Sequence, residues 1–334
     1  MTLGPLIIDI AGPQLTDRDR ERLNHPMVGG VILFTRNFIN IAQLKSLIQE
    51  IHALRTPRLL VSVDHEGGRI QRWFDGFTRI PAMLRIGELY AETPAQALAH
   101  ARACGVVSAS ELAALGIDLN YAPVLDLGHE LSGVLRGGRA FHRNPAIVIA
   151  IARAYIKGLN HAGMQAIGKH FPGHGGVKTD SHFALPYDPR TLETLRGDDL
   201  LPFQQLIKER LLAGVMTAHI KYLNVDENVA TISPFWLQTV LRQQLGFTGA
   251  IISDDLGMQA MNYPGGYPAC VRRVLQVGCD LILLCNNPVA VDQVLNSLDA
   301  WPDSSARIKS LYAHPLVQDP ELQNAHGILQ NYLP

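Results

Sequence analysis

The segment Lys169-His170-Phe171-Pro172-Gly173-His174-Gly175-Gly176, followed closely by Asp180-Ser181-His182, concentrates imidazoles, a lysine and an aspartate among glycines and a proline. Such a composition suits the interior of neither a helix nor a strand, and it predicts a loop. Just upstream, residues 164–168 read as a short buried strand ending at Gly168, so Lys169 and His170 are expected where that strand runs out. Asp180 and His182 are two residues apart. In an extended segment such neighbours point the same way, so the carboxylate can hold one imidazole nitrogen while the other faces a substrate. Taken singly, each histidine is as readily a solvated turn residue; the joint pattern is what suggests acid–base work.

Residues of this kind need rigid elements to aim them. Apolar runs recur at 6–10, 28–34, 59–63, 117–121, 165–168, 214–217, 250–252 and 279–284, and each reads as a strand. Amphipathic stretches at 41–54, 95–115, 147–161, 192–212 and 234–245 read as helices between them, the last with Ser233 as N-cap and Pro234 as first helical residue. Gly116, Gly163, Gly214, Gly246 and Gly278 each stand between a helical stretch and a strand, where a left-handed helix end is expected. Alternation of this sort predicts parallel strands with crossover helices. Eight strands favour an α/β fold of the closed (β/α)8 TIM-barrel type, a single domain over 1–334 with closing helices from about residue 288. A doubly wound open sheet is the alternative, but no GxGxxG follows the first strand.

Composition narrows the function. Charged residues are 18% of the 334 and hydrophobic residues 47%, which predicts a compact body with a large core. With 29 basic and 30 acidic residues the net charge is -1, and no long run of one sign occurs, so the footprint of a nucleic-acid binder is missing. Cys104, Cys270, Cys279 and Cys285 show no CxxC spacing and are expected as reduced core thiols. No apolar run approaches the roughly 20 residues of a membrane span, and Asp9 interrupts an N-terminal run that lacks a basic leader. A cytoplasmic, monomeric protein without membrane contact is expected.

A barrel places its working groups where strands end. The third strand runs into Asp64-His65-Glu66-Gly67-Gly68-Arg69, with Arg72 beyond; the fourth is followed by Asp126, Arg136 and Arg139. The sixth leads to His219, the seventh to Ser253-Asp254-Asp255 and the eighth to Asn286-Asn287. Asp126, His219 and Asn286 serve equally well as hydrogen-bond partners of loop backbone. Of Asp254 and Asp255, alternation lets one face the mouth, and the other is expected to cap the next helix near Leu256.

Three chemistries fit carboxylates, cations and an Asp-His pair. Metal-assisted hydrolysis would use His170, His174, His182 and His219, without an HxH or HExxH spacing. Nucleophilic serine chemistry lacks a GxSxG elbow around Ser181. Glycoside transfer fits best: a strand-end aspartate attacks an anomeric carbon, a loop acid protonates the leaving oxygen, and Arg, Lys and Asp grip hydroxyls. The unusual feature is a histidine as the acid.

The motifs 29–34 (GGVILF), 63–69 (VDHEGGR), 122–126 (APVLD), 168–175 (GKHFPGHG), Asp180-Ser181-His182 and 253–258 (SDDLGM), in this order, resemble glycoside hydrolase family 3, and within it the single-domain bacterial β-N-acetylglucosaminidases. The resemblance implies a retaining double displacement with Asp254 as nucleophile, His182 as acid/base and Asp180 as its partner. It implies Asp64, Arg72, Arg139, Lys169 and His170 as the contacts of the N-acetylglucosamine ring, with no cofactor and no metal. The substrate implied is N-acetylglucosamine β-1,4-linked to anhydro-N-acetylmuramic acid on muropeptides, in peptidoglycan recycling. His65 departs from the family's usual glutamine, which bears on hydrogen bonding near Asp64. The Pro/Gly-rich run 262–268 departs too, which bears on the loop and helix after Asp254. A phosphorylase using the same residues, and a non-catalytic sugar-binding protein, are the competing readings; a β-glucosidase fits less well, as such members mostly carry a second domain.

Overall fold

The computed structural model describes residues 3–129, 137–177, 184–299, 301, 305–314 and 320–330. Ten strands occur among them: β1 (Leu6–Ile8), β2 (Val28–Leu33), β3 (Leu60–Val63), β4 (Leu119–Asn120), β5 (Ile167–Phe171), β6 (Tyr187–Asp188), β7 (Gly214–Thr217), β8 (Lys221–Tyr222), β9 (Ala250–Ile252) and β10 (Ile282–Leu284). One parallel sheet runs β10-β1-β2-β3-β4 and another β5-β7-β9. Parallel bridges Leu119 to Gln165 and Ile252 to Leu281 join the two into a closed ring. The eight expected strands therefore form the (β/α)8 barrel.

Alternation along the strands explains closure. Ile7, Ile32, Leu60, Leu119, Tyr121, Ile167, Met216, Ile252 and Leu283 form an interior cluster. Their chain neighbours Leu6, Ile8, Val31, Val61, Val215, Ile251, Ile282 and Leu284 join the larger core beneath the helices. Strands buried on both sides read as continuous apolar runs, which is why they were visible in sequence. Ile308 and Leu311, on and just after the helix Ser305–Lys309, pack into the interior cluster with Leu3.

The helices Ile41–Ala53, Pro94–Ala114, Pro145–His161 and Phe235–Gln244 agree with the expected ones to within about two residues. Ser233 Oγ accepts the Trp236 N–H at 3.0 Å and so caps the last of them, as expected. The stretch 192–212 is two helices, Leu192–Gly197 and Leu200–Lys208. The break falls at Asp198-Asp199, where Asp199 turns inward to Arg190. Gly116, Gly163, Gly246 and Gly278 adopt positive φ. Gly214 does not; it belongs to β7, and Arg210 takes the left-handed position instead, at φ 56°. Space is tight at Gly214, where a Cβ would lie 2.4 Å from Ile167 Cδ1 inside the barrel and that side chain would have to shift.

The short parallel pair β6–β8 lies outside the ring and was not expected. All four cysteines are buried and unpaired. No described helix is long and apolar enough to cross a membrane.

Candidate active site

Asp64 and Glu66 follow β3 two residues apart, and both turn to the barrel mouth. Asp64 Oδ1 accepts from Lys169 Nζ at 2.8 Å and Oδ2 from Arg72 at 3.0 Å. Burial alone would raise the Asp64 carboxyl; the Lys169 and Arg72 charges outweigh it and hold the group below the usual carboxylate value. Arg72 also lies 5.2 Å over the ring of Phe34, just past the end of β2. Glu66 receives both Nε and Nη2 of Arg139, at 2.8 and 2.7 Å, and Lys169 Nζ at 2.7 Å. Four of the five residues that the resemblance named as sugar contacts thus share one ion-pair network, with Glu66 as an additional member.

Between Asp64 and Glu66 the chain alternates, and His65 faces away from the mouth. Its ring packs against Trp73 and Phe77, with centroids 6.2 and 5.7 Å apart. Burial, then the Arg72 charge, depress its pKa from 6.5 to about 3. Its Nδ1 finds no hydrogen-bond partner among the described residues.

Strand β5 runs three residues further than expected, so Lys169 and His170 lie within it, joined by a cis peptide bond. The fifth expected contact, His170, is set by Asp126: its Nδ1 lies 2.6 Å from Asp126 Oδ2, while Oδ1 accepts the amides of His170 at 3.0 Å and His174 at 2.7 Å. Burial raises and the His170 charge lowers the Asp126 carboxyl, which settles at about 2. Close packing continues into the loop, where a Cβ on Gly175 would sit 2.0 Å from the Leu127 carbonyl oxygen.

At the end of β9 the two aspartates divide, but the expected helix cap is corrected: the helices Gln259–Met261 and Gly266–Gln276 start from Met258 and Gly265 without a side-chain cap, and Asp255 binds loop amides instead. Asp255 Oδ1 accepts the amides of Gly257 at 2.8 Å and Cys285 at 2.9 Å, tying the loops after β9 and β10 together. Burial raises its pKa to about 7 against these amides. Asp254 is half-buried, its Oδ1 accepts the Asp255 amide at 2.8 Å, and its charge acts on both His174 and His219. His219 is bonded on both ring nitrogens, to Thr231 Oγ1 at 2.7 Å and the Asp255 carbonyl at 3.0 Å, which makes it a prop for the β9 exit. Asn286 accepts from Arg36 at 3.0 Å, and Asn287 caps the helix Pro288–Leu295. Asp180, Ser181, His182 and Arg136 lie outside the described residues.

The Pro/Gly-rich run after Asp254 opens the helix Gly266–Gln276, and its Asn262, Tyr263, Gly266 and Tyr267 line, with Met258 and Met261, a cavity of about 330 Å³. Among the described residues, His129, Asp198 and Asp199 bring ligand-type atoms within 4.8 Å of one another. Arg190 already pairs with both of those carboxylates.

Fold and site together define the class: a (β/α)8 enzyme with a polar, charge-balanced mouth. The model of the glycosyl hydrolase family 3 N-terminal domain matches residues 6–312. A β-hexosaminidase of Thioalkalivibrio sulfidiphilus is 49% identical, covering 98% of this chain and 96% of that protein. One from Thiobacillus denitrificans is 50% identical over 94% of this chain and 88% of its own. The crystal structure of NagZ from Neisseria gonorrhoeae in complex with N-trifluoroacetyl-D-glucosamine superposes with a TM-score of 0.93 at 42% identity, covering 99% and 98% of the two chains. The chain belongs to glycosyl hydrolase family 3 and is a glycoside hydrolase of its β-hexosaminidase branch.

Proposed function

We propose that the protein is a retaining β-N-acetylhexosaminidase that removes terminal N-acetylglucosamine from β-1,4-linked anhydro-N-acetylmuramic acid muropeptides, acting as a cytoplasmic monomer in peptidoglycan recycling. Residues 1–334 serve as one catalytic domain. Asp254 attacks the anomeric carbon as the glycosidic C–O bond breaks, and His182, oriented by Asp180, protonates the departing oxygen. Water then attacks the glycosyl-Asp254 ester, His182 takes its proton, and Asp254 leaves with its electron pair. Asp64, Arg72, Arg139, Lys169 and His170 hold the sugar.

The observation that carries this reading is the network joining Asp64, Lys169, Glu66, Arg139 and Arg72 at the mouth, with Asp254 two residues past the end of β9. It offers acceptors and donors in fixed places, as hydroxyl recognition requires. The names of the relatives support the hexosamine substrate.

Turnover of an aryl N-acetyl-β-glucosaminide in phosphate-free buffer tests it. Hydrolysis that is indifferent to added phosphate and is lost in Asp254→Asn and His182→Ala is expected. A sugar phosphate formed on adding phosphate would make the enzyme a phosphorylase. Binding of the sugar without turnover would make it a receptor.

A further inference from the structure

Glu66 has no task in the mechanism above, yet its side chain is only 2% exposed and each of its oxygens is engaged. Oε1 accepts from Lys169 Nζ and Arg139 Nη2, both at 2.7 Å, and Oε2 from Arg139 Nε at 2.8 Å. An ammonium and a guanidinium held so close repel one another, and a shared carboxylate is what offsets that repulsion. Lys169 Nζ has three N–H bonds; among the described residues Asp64 and Glu66 take two of them, leaving one to aim. The fork on Arg139 likewise occupies Nε and one terminal nitrogen, leaving the other terminal nitrogen outside the pair.

We infer that Glu66 is a positioning residue for sugar recognition: it fixes the direction of the remaining Lys169 N–H and of the remaining Arg139 nitrogen, making a two-cation cradle for oxygens of the terminal hexosamine. The inference rests on the reading that Lys169 and Arg139 contact that sugar. A carboxylate acting only as a strut between loops would join any convenient cations; both cations held here are expected ligand contacts. Glutamine at this position keeps one acceptor but turns an N–H₂ toward a cation, so it can satisfy only part of the set.

The test compares wild type, Glu66→Gln, Arg139→Ala and the double variant by kcat and KM on an aryl N-acetyl-β-glucosaminide, inhibition by free N-acetylglucosamine, and melting temperature. Glu66→Gln is expected to lower kcat/KM about 10²-fold, the scale of a small misplacement of binding groups, and to weaken inhibition while the protein stays folded. The double variant should lose clearly less than the product of the two single losses, because part of what Glu66 does acts through the Arg139 already removed, while its hold on Lys169 remains to be lost. A Glu66→Gln protein with unchanged inhibition and turnover beside a crippled Arg139→Ala, or losses that multiply in the double variant, would overturn the inference and leave the sugar site standing. An Arg139→Ala protein of full activity would overturn the sugar-site reading and the inference with it. Should Glu66→Gln fail to fold, Glu66→Asp, which keeps the charge but withdraws it by one methylene, decides: weakened inhibition supports the inference, and inhibition equal to wild type overturns it.

Discussion

Lys169 Nζ lies 2.8 Å from Asp64 Oδ1, so a side chain of β5 is tied to the exit of β3 across the mouth of the barrel. The Lys169 side chain is 2% exposed, and its pKa is raised because Asp64 and Glu66 outweigh the burial that would lower it. It is a buried, charged donor with carboxylates on both sides.

Replacing Lys169 by Met keeps the bulk and removes the charge between Asp64 and Glu66. Breaking a buried charge set by removing one partner costs on the order of 3–5 kcal/mol where the remaining charges have no other relief. Arg72 and Arg139 supply part of that relief here. The expected outcome is a drop in melting temperature together with a fall in kcat/KM of about 10²–10³-fold, read by calorimetry and by steady-state assay on the same preparations.

Asp126→Asn should separate binding from stability. The asparagine Oδ1 can still accept the His170 and His174 amides, but its N–H₂ now faces His170 Nδ1, which must accept where it donated. With Nδ1 accepting, the imidazole is held neutral with its hydrogen on Nε2 and loses the positive charge it would otherwise share with Asp126. Expected is a rise in KM and in the inhibition constant of N-acetylglucosamine with melting temperature little changed; an unaltered KM would mean that His170 makes no protonation-dependent contact with the sugar.

Two buried groups give stability opposite pH slopes. Asp255 titrates at about 7 folded against 3.8 in its ordinary state, so its contribution is whole below 3.8 and is lost as pH rises to about 7. His65, at about 3 against 6.5, contributes stability above 6.5 that is lost as pH falls toward 3. Each slope is at most about 1.4 kcal/mol per pH unit. Asp255→Asn keeps the oxygen that both amides use and should flatten the decline toward neutral pH, whereas His65→Gln should flatten the decline toward acid. Urea midpoints of the three proteins across this range check both; parallel curves for a variant and wild type would contradict the assignment for that residue.

The barrel was legible because strands buried on both faces leave continuous apolar runs, as at 28–33 and 282–284. The pair β6–β8 was not, since two-residue strands such as Tyr187–Asp188, with one residue exposed, leave no periodic signal. The split of 192–212 had a cue in Gly197 followed by two aspartates, but helical amphipathicity on either side masked it. At the site, Asp64, Lys169 and the division between Asp254 and Asp255 followed from strand ends and alternation. The same alternation in Asp64-His65-Glu66 sends Glu66 to the mouth and His65 to the aromatic cluster, a signal carried by the spacing alone. The partnership of Asp126 with His170 depends on contact between residues 44 apart, which one sequence does not encode visibly.

The central claim is a covalent glycosyl-enzyme on Asp254. Mass spectrometry of the His182→Ala protein, quenched during turnover of an aryl N-acetyl-β-glucosaminide with an activated leaving group, tests it most directly, because with His182 in the proposed acid/base role that variant would slow breakdown of the ester more than its formation. The account predicts an adduct of one N-acetylhexosaminyl unit on the peptide containing Asp254, absent from Asp254→Asn. No adduct, or an adduct on another residue, would contradict it.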